Sequence, residues 1–192
     1  SGDRPEEYPA LNMSYSDRGA RFRDSLGYIR KMTEHQPVYT GPHGTLDGSM
    51  DMLPKPMGAR LPILITGGSQ QSPDWVAAHG DGWMTYPRDA ASQARVVEAY
   101  RTNTRAAGQA LKPVMQSLYV DLVRQEDAAP EPIHLGFRSG IGFLKSYLHS
   151  LQRLGINHVA LNLRFNQADV EDTMQRLADH LLPDFQTGET HP

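Results

Sequence analysis

The chain has 192 residues, a formal net charge of -3 and no cysteine, with a sequence pI of about 6.2 and a mean hydropathy of -0.54. The length can bury one sizeable core, the charge leaves no basic footprint for nucleic acid, and disulfides, thiolate chemistry and Cys-ligated zinc are excluded. No apolar run is long enough to span a membrane and the polar start SGDRPEE does not read as a secretory signal, so the cytoplasm is the expected compartment.

From Ser1 to Ser16 the chain reads as loop, because Pro5 and Pro9 block a continuous helix. A helix is predicted from Asp17 to Met32, with Phe22, Leu26, Ile29 and Met32 inward and Arg18, Arg21, Arg23 and Arg30 on the wet face. Residues Thr33 to Arg60 are punctuated by Gly and Pro. A loose hairpin fits there, with Val38 to Tyr39 against Leu46 or against Met50 to Leu53. Connections this long are often lids or partner contacts. His43, Met50, Met52 and Met57 either line a substrate mouth or cover a core edge.

The stretch Leu61 to Pro87 is the most informative. An apolar strand, Pro62 to Thr66, stops at Gly67-Gly68-Ser69-Gln70-Gln71. Ser72 then serves as N-cap and Pro73 takes the first helical position, where no amide hydrogen is needed. A second strand, Gly82 to Tyr86, ends at Pro87. This is a βαβ unit with its turn at the carboxyl end of a strand. Bare amides at Gly67, Gly68 and Ser69 could hold a phosphate; a tight turn beside a strand explains the same residues.

Ala90 to Ala107 reads as a helix with Ala94, Val97, Tyr100 and Ala107 inward, ending at Gly108. A third strand, Val114 to Val123, alternates cleanly. Val114, Leu118, Val120 and Leu122 form one face, and Met115, Ser117, Tyr119 and Asp121 the other. Gln125 to Pro132 reads as surface loop. A second Gly-rich turn, Leu135 to Gly142, leads into a helix carrying Leu144, Tyr147, Leu148, Leu151 and Leu154, capped by Gly155. The last strand, Asn157 to Phe165, sets Val159, Leu161, Leu163 and Phe165 against His158, Ala160, Asn162 and Arg164. A final helix runs from Gln167 to Leu182, closed by Pro183, and residues 186–192 form a tail after the body spanning 1–185.

Strand and helix alternate, with about four strands in all by periodicity, which makes a parallel sheet with outer helices. A small open sheet and part of a (β/α)8 barrel both fit, the complete barrel needing about 250 residues. The barrel is favoured because the third and fourth strands have one aliphatic face and one that turns polar near its carboxyl end. Strands covered on both faces would read as continuous apolar runs. The fold class expected is therefore α/β, a partial (β/α)8 TIM barrel comprising its second half. The eight histidines form no HExxH or HxxxH pair, so no metal site is expected.

The run PILITGGSQQSPDWVAAHGDGWMTYP, the opening SGDRPEEYPALNMSYSDRGARFRDSL and the late LGINHVALNLRF followed by LADHLLPDF together resemble the luciferase-like monooxygenase family. These are flavin- or F420-dependent TIM-barrel oxidoreductases. The resemblance runs from about Ser1 to Phe185 and covers only the carboxyl-terminal portion of such a protein. It implies either that this sequence is a fragment whose barrel lacks its amino-terminal half or that a second polypeptide, such as a homo-oligomer partner, completes the barrel, and that this stretch alone is inactive. It further implies an enzyme that binds reduced FMN (alternatively F420) and a small-molecule substrate, with neither nucleic acid nor membrane as partner. The flavin phosphate would lie on Thr66, Gly67, Gly68, Ser69 and Gln70, with Asp3, Arg4 and Tyr8 reaching the cofactor.

Trp83 maps to the cofactor wall and Tyr86 to a flavin or substrate wall, an aromatic plug being the alternative for both. Asn162, Arg164 and Asp121 are the expected substrate-side groups; a salt bridge between Arg164 and Asp121 is the alternative for that pair. No catalytic residue is assigned, although Asp121, His43 and His134 are the acid–base groups available. Three activities remain open beside FMN-dependent monooxygenation: F420-dependent hydride transfer, a non-catalytic flavin-binding or assembly module, and a phosphate-sugar enzyme on an ordinary barrel.

Overall fold

The computed structural model describes residues 2–185, so the tail reading over 186–192 lies outside the described residues. The chain forms two compact units, Ser1–Gly82 and Trp83–Pro192. No helix among the described residues is long and apolar enough to cross a membrane.

The first unit contains α1 (Glu7–Ala10), α2 (Arg18–Met32), β1 (Val38–Gly41), β2 (Gly44–Asp47), β3 (Leu64–Thr66) and α3 (Pro73–His79). The short α1 forms where a loop is predicted and includes Pro9, because the first turn of a helix needs no amide hydrogen from that position. On α2 the helical period is right and its phase is only partly so. Leu26 is buried, whereas Ile29 is 46% exposed. Arg30 turns inward instead, donating to Asp81 at 3.0 Å and to the His79 carbonyl at 2.5 Å. The arginine face is therefore not merely solvated. β1 and β2 pair antiparallel with Tyr39 opposite Leu46, the first of the two hairpins the sequence allows. Met50, Met52 and Met57 are exposed.

Asp81 ties this unit together. Its carboxylate accepts from the Ile63 amide at 2.9 Å and from Arg30 and Arg60, while its own amide donates to the Ile63 carbonyl at 2.8 Å. The entry to β3 is thereby fixed, with Ile65 only 1% exposed. On α3, Pro73 takes the first turn as expected, Val76 and Ala77 are buried, and Trp75 stacks on His79 at 4.3 Å.

The second unit carries β4 (Gly82–Thr85), α4 (Ala90–Ala106), β5 (Val114–Leu122), β6 (Glu131–Ile133), β7 (Gly136–Ser139), α5 (Ile141–Arg153), β8 (His158–Asn162) and α6 (Val170–Phe185). β5 is its central strand and pairs parallel with β4, β7 and β8. Since Met115 and Tyr119 each have a β8 partner as well as one in β4 or β7, β8 takes one edge of β5 while β4 and β7 follow each other along the opposite edge. The alternation read from β5 holds. Val114, Leu118, Val120 and Leu122 are all at most 1% exposed and form the core against the helices.

Buried polar groups complete that core. Gln93 on α4 donates to Gln116 on β5 at 2.9 Å, and Gln116 donates to the Tyr147 hydroxyl on α5 at 3.3 Å. Hence the buried face of α4 runs through Gln93, Val97, Tyr100 and Thr104, and the expected Ala107 is exposed. Two asparagines bracket the β5–β8 pair: Asn157 accepts from the Val114 amide at 2.9 Å and Asn166 from the Leu122 amide at 3.1 Å.

Three expectations are corrected here. The span Gln125 to Gly142 is not loop and turn throughout, since β6 and β7 form an antiparallel hairpin with β7 added to β5. A side chain at Gly136 would put its Cβ 1.9 Å from the Tyr119 carbonyl oxygen, so only glycine allows this approach. The last strand is shorter than read, ending at Asn162. Phe165 leaves the aliphatic face, its ring lying 5.0 Å from that of Tyr119. Finally, Pro183 does not close α6, which runs to Phe185. An apolar groove of about 630 Å³ lies between α5, α6 and β8, lined by Leu148, Leu151, Val159, Leu161, Met174 and Phe185 among others.

Candidate functional site

In the first unit, β3 delivers the chain into the turn Thr66–Gln71. Gly67, Ser69 and Gln70 all have positive φ, at 56°, 47° and 61°. For the two non-glycine residues this left-handed backbone costs about 1–2 kcal/mol each. Strain of that kind persists only where the surroundings hold it, and the surroundings are visible. The Ser69 hydroxyl donates to the Thr66 carbonyl at 2.9 Å, and the Gln71 amide closes onto the Gly68 carbonyl at 2.8 Å.

Gln71 fastens the turn to α2. Its side chain donates to the Gly19 carbonyl at 2.8 Å and accepts from Arg23 at 2.8 Å. The sequence reading missed both residues, although an arginine and a helix glycine facing a Gly-rich turn were available as signals. Among the described residues the amides of Gly68, Ser69 and Gln70 donate to no backbone or side-chain acceptor. A Cβ on Gly68 would meet nothing nearer than the Gln71 carbonyl oxygen at 3.7 Å, so this side of the turn is open. Successive uncommitted amides in such a bend suit an anion.

Arg4 and Tyr8 have local partners. Arg4 is exposed and pairs with Glu7 at 3.2 Å. Tyr8 is 7% exposed, donates to the Gly2 carbonyl at 3.0 Å and packs edge-on against Tyr15. Among the described residues neither hydrogen-bonds to the turn. His43 lies 3.2 Å from the Ser25 hydroxyl and its ring sits 5.2 Å from that of Tyr28, so it packs the hairpin turn against α2.

In the second unit, Trp83 shares a cross-strand row with Val114 and stacks on Tyr100 of α4 at 5.1 Å. Tyr86 is 42% exposed just past β4. Asn162 ends β8 by accepting from the Arg164 amide at 2.9 Å, and the Arg164 guanidinium lies 5.8 Å from the Phe165 ring centroid. The Arg164–Asp121 salt bridge does not form. Asp121 faces Arg138 of β7 at 3.7 Å and accepts from the Gln167 amide at 3.0 Å. Its β5 register places it directly opposite Arg138, which no reading without the hairpin could have found.

That register builds a second feature at the end of β5. A cavity of about 360 Å³ is lined by Asp121, Glu131, His134, Arg138, Phe165 and Gln167, together with Pro132 and Ile133 of β6. Tyr119 contributes an aromatic edge, 5.7 Å from the His134 ring and 5.0 Å from Phe165. Asp121 and His134, two of the acid–base groups the sequence offered, thus share one cavity, and His43 is in the other unit.

Comparison with known proteins places this geometry. The model of the luciferase-like monooxygenase family matches residues 1–190. Among solved structures, a monooxygenase from Streptomyces bottropensis aligns with a TM-score of 0.76 at 17% identity, covering 96% of this chain and 67% of that one. An EDTA monooxygenase from Chelativorans sp. BNC1 aligns at 0.70 and 11% identity, covering 100% and 67%. A coenzyme F420-dependent tetrahydromethanopterin reductase from Methanopyrus kandleri aligns at 0.68 and 11% identity, covering 88% and 64%. The chain thus spans about two thirds of the length of these structures, and it matches no curated protein. At these identities the likeness identifies the fold, α/β and corresponding to part of a (β/α)8 barrel. With the family model matching almost end to end, the chain belongs to the luciferase-like monooxygenase family.

Proposed function

We propose that this chain is the carboxyl-terminal portion of an oxidoreductase that uses reduced FMN on a small organic substrate, as a monooxygenase. The observation that carries the reading is the Gly67–Gln70 turn: three uncommitted amides in a strained bend held from behind by Gln71 and Arg23. The flavin supplies the redox chemistry when bound. The turn's part is to bind the terminal phosphate through the amides of Gly68, Ser69 and Gln70. Thr66 and Ser69 hold the bend's shape through their own hydrogen bond. In the other unit, Asp121, Asn162, Arg164 and Tyr86 lie at or beyond the carboxyl ends of strands, where barrel enzymes place substrate-facing groups.

A second reading, hydride transfer with F420, is favoured by the F420-dependent reductase among the matching structures. Each cofactor carries a phosphate that the same amides would bind. The matching structures extend beyond the aligned stretch, and the edge of β8 away from β5, unpaired among the described residues, would with its neighbouring groove take a further strand and helix of the barrel, from the same polypeptide or a partner copy.

The test is a titration of FMN and, separately, of riboflavin and F420 into the full polypeptide, followed by absorbance and fluorescence quenching. Gly68→Ala should bind FMN as the parent does, because its Cβ has room. Gly68→Asp should weaken FMN about 10- to 100-fold, the roughly 1.4–3 kcal/mol expected for a carboxylate near a phosphate at the protein surface. Riboflavin, lacking the phosphate, should be insensitive to the change. Equal FMN affinity in the Asp and Ala variants would remove the assignment, and phosphate affinity without any flavin affinity would favour the sugar-phosphate alternative.

A further inference from the structure

The cavity at the end of β5 has a polar pattern that specifies a ligand more narrowly than "small organic substrate". Asp121 on β5, Arg138 on β7 and Glu131 on β6 occupy one cross-strand row, Asp121 opposite Arg138 and Arg138 opposite Glu131. Residues directly opposite one another project from the same face. The row therefore sets one guanidinium between two carboxylates, so the cavity has no surplus of positive charge to attract an anion.

Within that row the Asp121 side chain is 5% exposed, yet its carboxylate is only half satisfied. Oδ1 accepts from the Gln167 amide at 3.0 Å. Oδ2 has Arg138 Nε at 3.7 Å, beyond hydrogen-bond reach, and no other donor among the described residues. This oxygen is open to a donor from the cavity that its residue lines. The walls on the other side are aromatic: Phe165, 39% exposed, and His134, their ring centroids 6.4 Å apart and nearly perpendicular, with Tyr119 behind both.

We propose that this cavity is the subsite for a neutral aromatic ring bearing a hydroxyl, whose O–H donates to Asp121 Oδ2 while the ring lies against Phe165 and His134. Its volume of about 360 Å³ accommodates a single substituted ring. Arg138 acts as a positioning residue, holding the carboxylate by charge without occupying the oxygen that the ligand uses. The proposal rests on the reading of the chain as part of an oxidoreductase for small organic molecules, and it gives that reading a substrate class.

The experiment compares three probes of the same shape on the full polypeptide by titration calorimetry and by NMR shifts of the His134 ring: 4-methylphenol, 4-methylanisole and 4-methylbenzoate. The phenol should bind saturably. The methyl ether, which has no donor, should bind at least 10-fold more weakly, and the benzoate should not bind. Asp121→Asn, whose amide can present N–H groups to the cavity, should erase the preference of phenol over ether. Should that buried variant fail to fold by circular dichroism, Phe165→Ala on the exposed rim should weaken the phenol at least 5-fold. A benzoate that binds as tightly as the phenol, a phenol–ether ratio near one, or phenol affinity unchanged in Phe165→Ala would each overturn the proposal. Repeating the titrations with Gly68→Asp separates the two readings. Lost FMN binding beside an intact phenol preference leaves both standing, FMN binding indifferent to Gly68→Asp removes the cofactor site alone, and FMN binding without phenol preference removes this subsite alone.

Discussion

Replacing Asp81 by Ala should destabilise the first unit by about 2–4 kcal/mol. The carboxylate is 12% exposed and accepts from the Ile63 amide at 2.9 Å, from Arg30 at 3.0 Å and from Arg60. Arg30 and Arg60 are 27% and 53% exposed, so their ion pairs are screened and count for at most about 1 kcal/mol each. The larger share is the Ile63 amide, whose partner disappears at the entry to β3; an unsatisfied group of that kind costs about 1–3 kcal/mol. Asp81→Asn restores an acceptor for Ile63 and removes only the charge, so it should cost about 1–2 kcal/mol, roughly half as much. The chain has two tryptophans, and Trp75 lies in this unit between Phe22 and His79. Urea unfolding followed by Trp75 fluorescence in a Trp83→Phe background therefore reports it directly. With a slope near 1 kcal/mol/M for a unit this small, the Ala variant should lower the midpoint by about 2 M or more. A loss below about 0.5 kcal/mol, or an Asn variant as damaged as the Ala one, would show that Asp81 does not organise the unit.

Gly136→Ala should destabilise the second unit by more than about 2 kcal/mol, because its Cβ would fall 1.9 Å from the Tyr119 carbonyl oxygen and force β7 off β5. Gly27→Ala is the contrast: it lies inside α2 with nothing within 4 Å, so it should stabilise by about 0.5–1 kcal/mol, and a destabilisation there would contradict the helix. Asp184 is held below its ordinary pKa of 3.8 by hydrogen bonds from Lys145 first and His149 second, which tie α6 to α5. A depressed carboxylate stabilises above its unfolded value and loses that contribution as pH falls through the folded one. The protection factors of the α6 amides should thus fall below about pH 4, and Asp184→Asn should flatten that acid response.

How far residues alone carry depends on the range of the interaction that decides each feature. The β5 alternation, Pro73 at the start of α3 and Gly155 beyond α5 are local signals, and the structure agrees with each. The β6–β7 hairpin escaped because Glu-Pro-Ile and Gly-Phe-Arg-Ser are too short for a period-2 signal, and Pro132 argues against a strand unless it lies at an edge. That omission hid Arg138, and with it the true partner of Asp121. Arg30 was read as solvent-facing because a guanidinium at the border of a helix face fits either side. Only Asp81, far along the chain, decides between them.

By itself the sequence determined the alternation of β3, β4, β5 and β8 with helices, the aliphatic and polar faces of β5, the glycine turn after β3 and the family whose motifs these are. Each follows from steric and hydrophobic preferences acting over a few neighbouring residues. Tertiary structure alone decided which groups meet: Asp121 with Arg138 and Gln167, Gln71 with Arg23 and Gly19, Trp83 with Tyr100. Those pairings depend on strand register and helix phase, which are set by the packing of the whole unit, and a one-residue slip of a strand would turn Trp83, Asp121 or Arg138 to the opposite face.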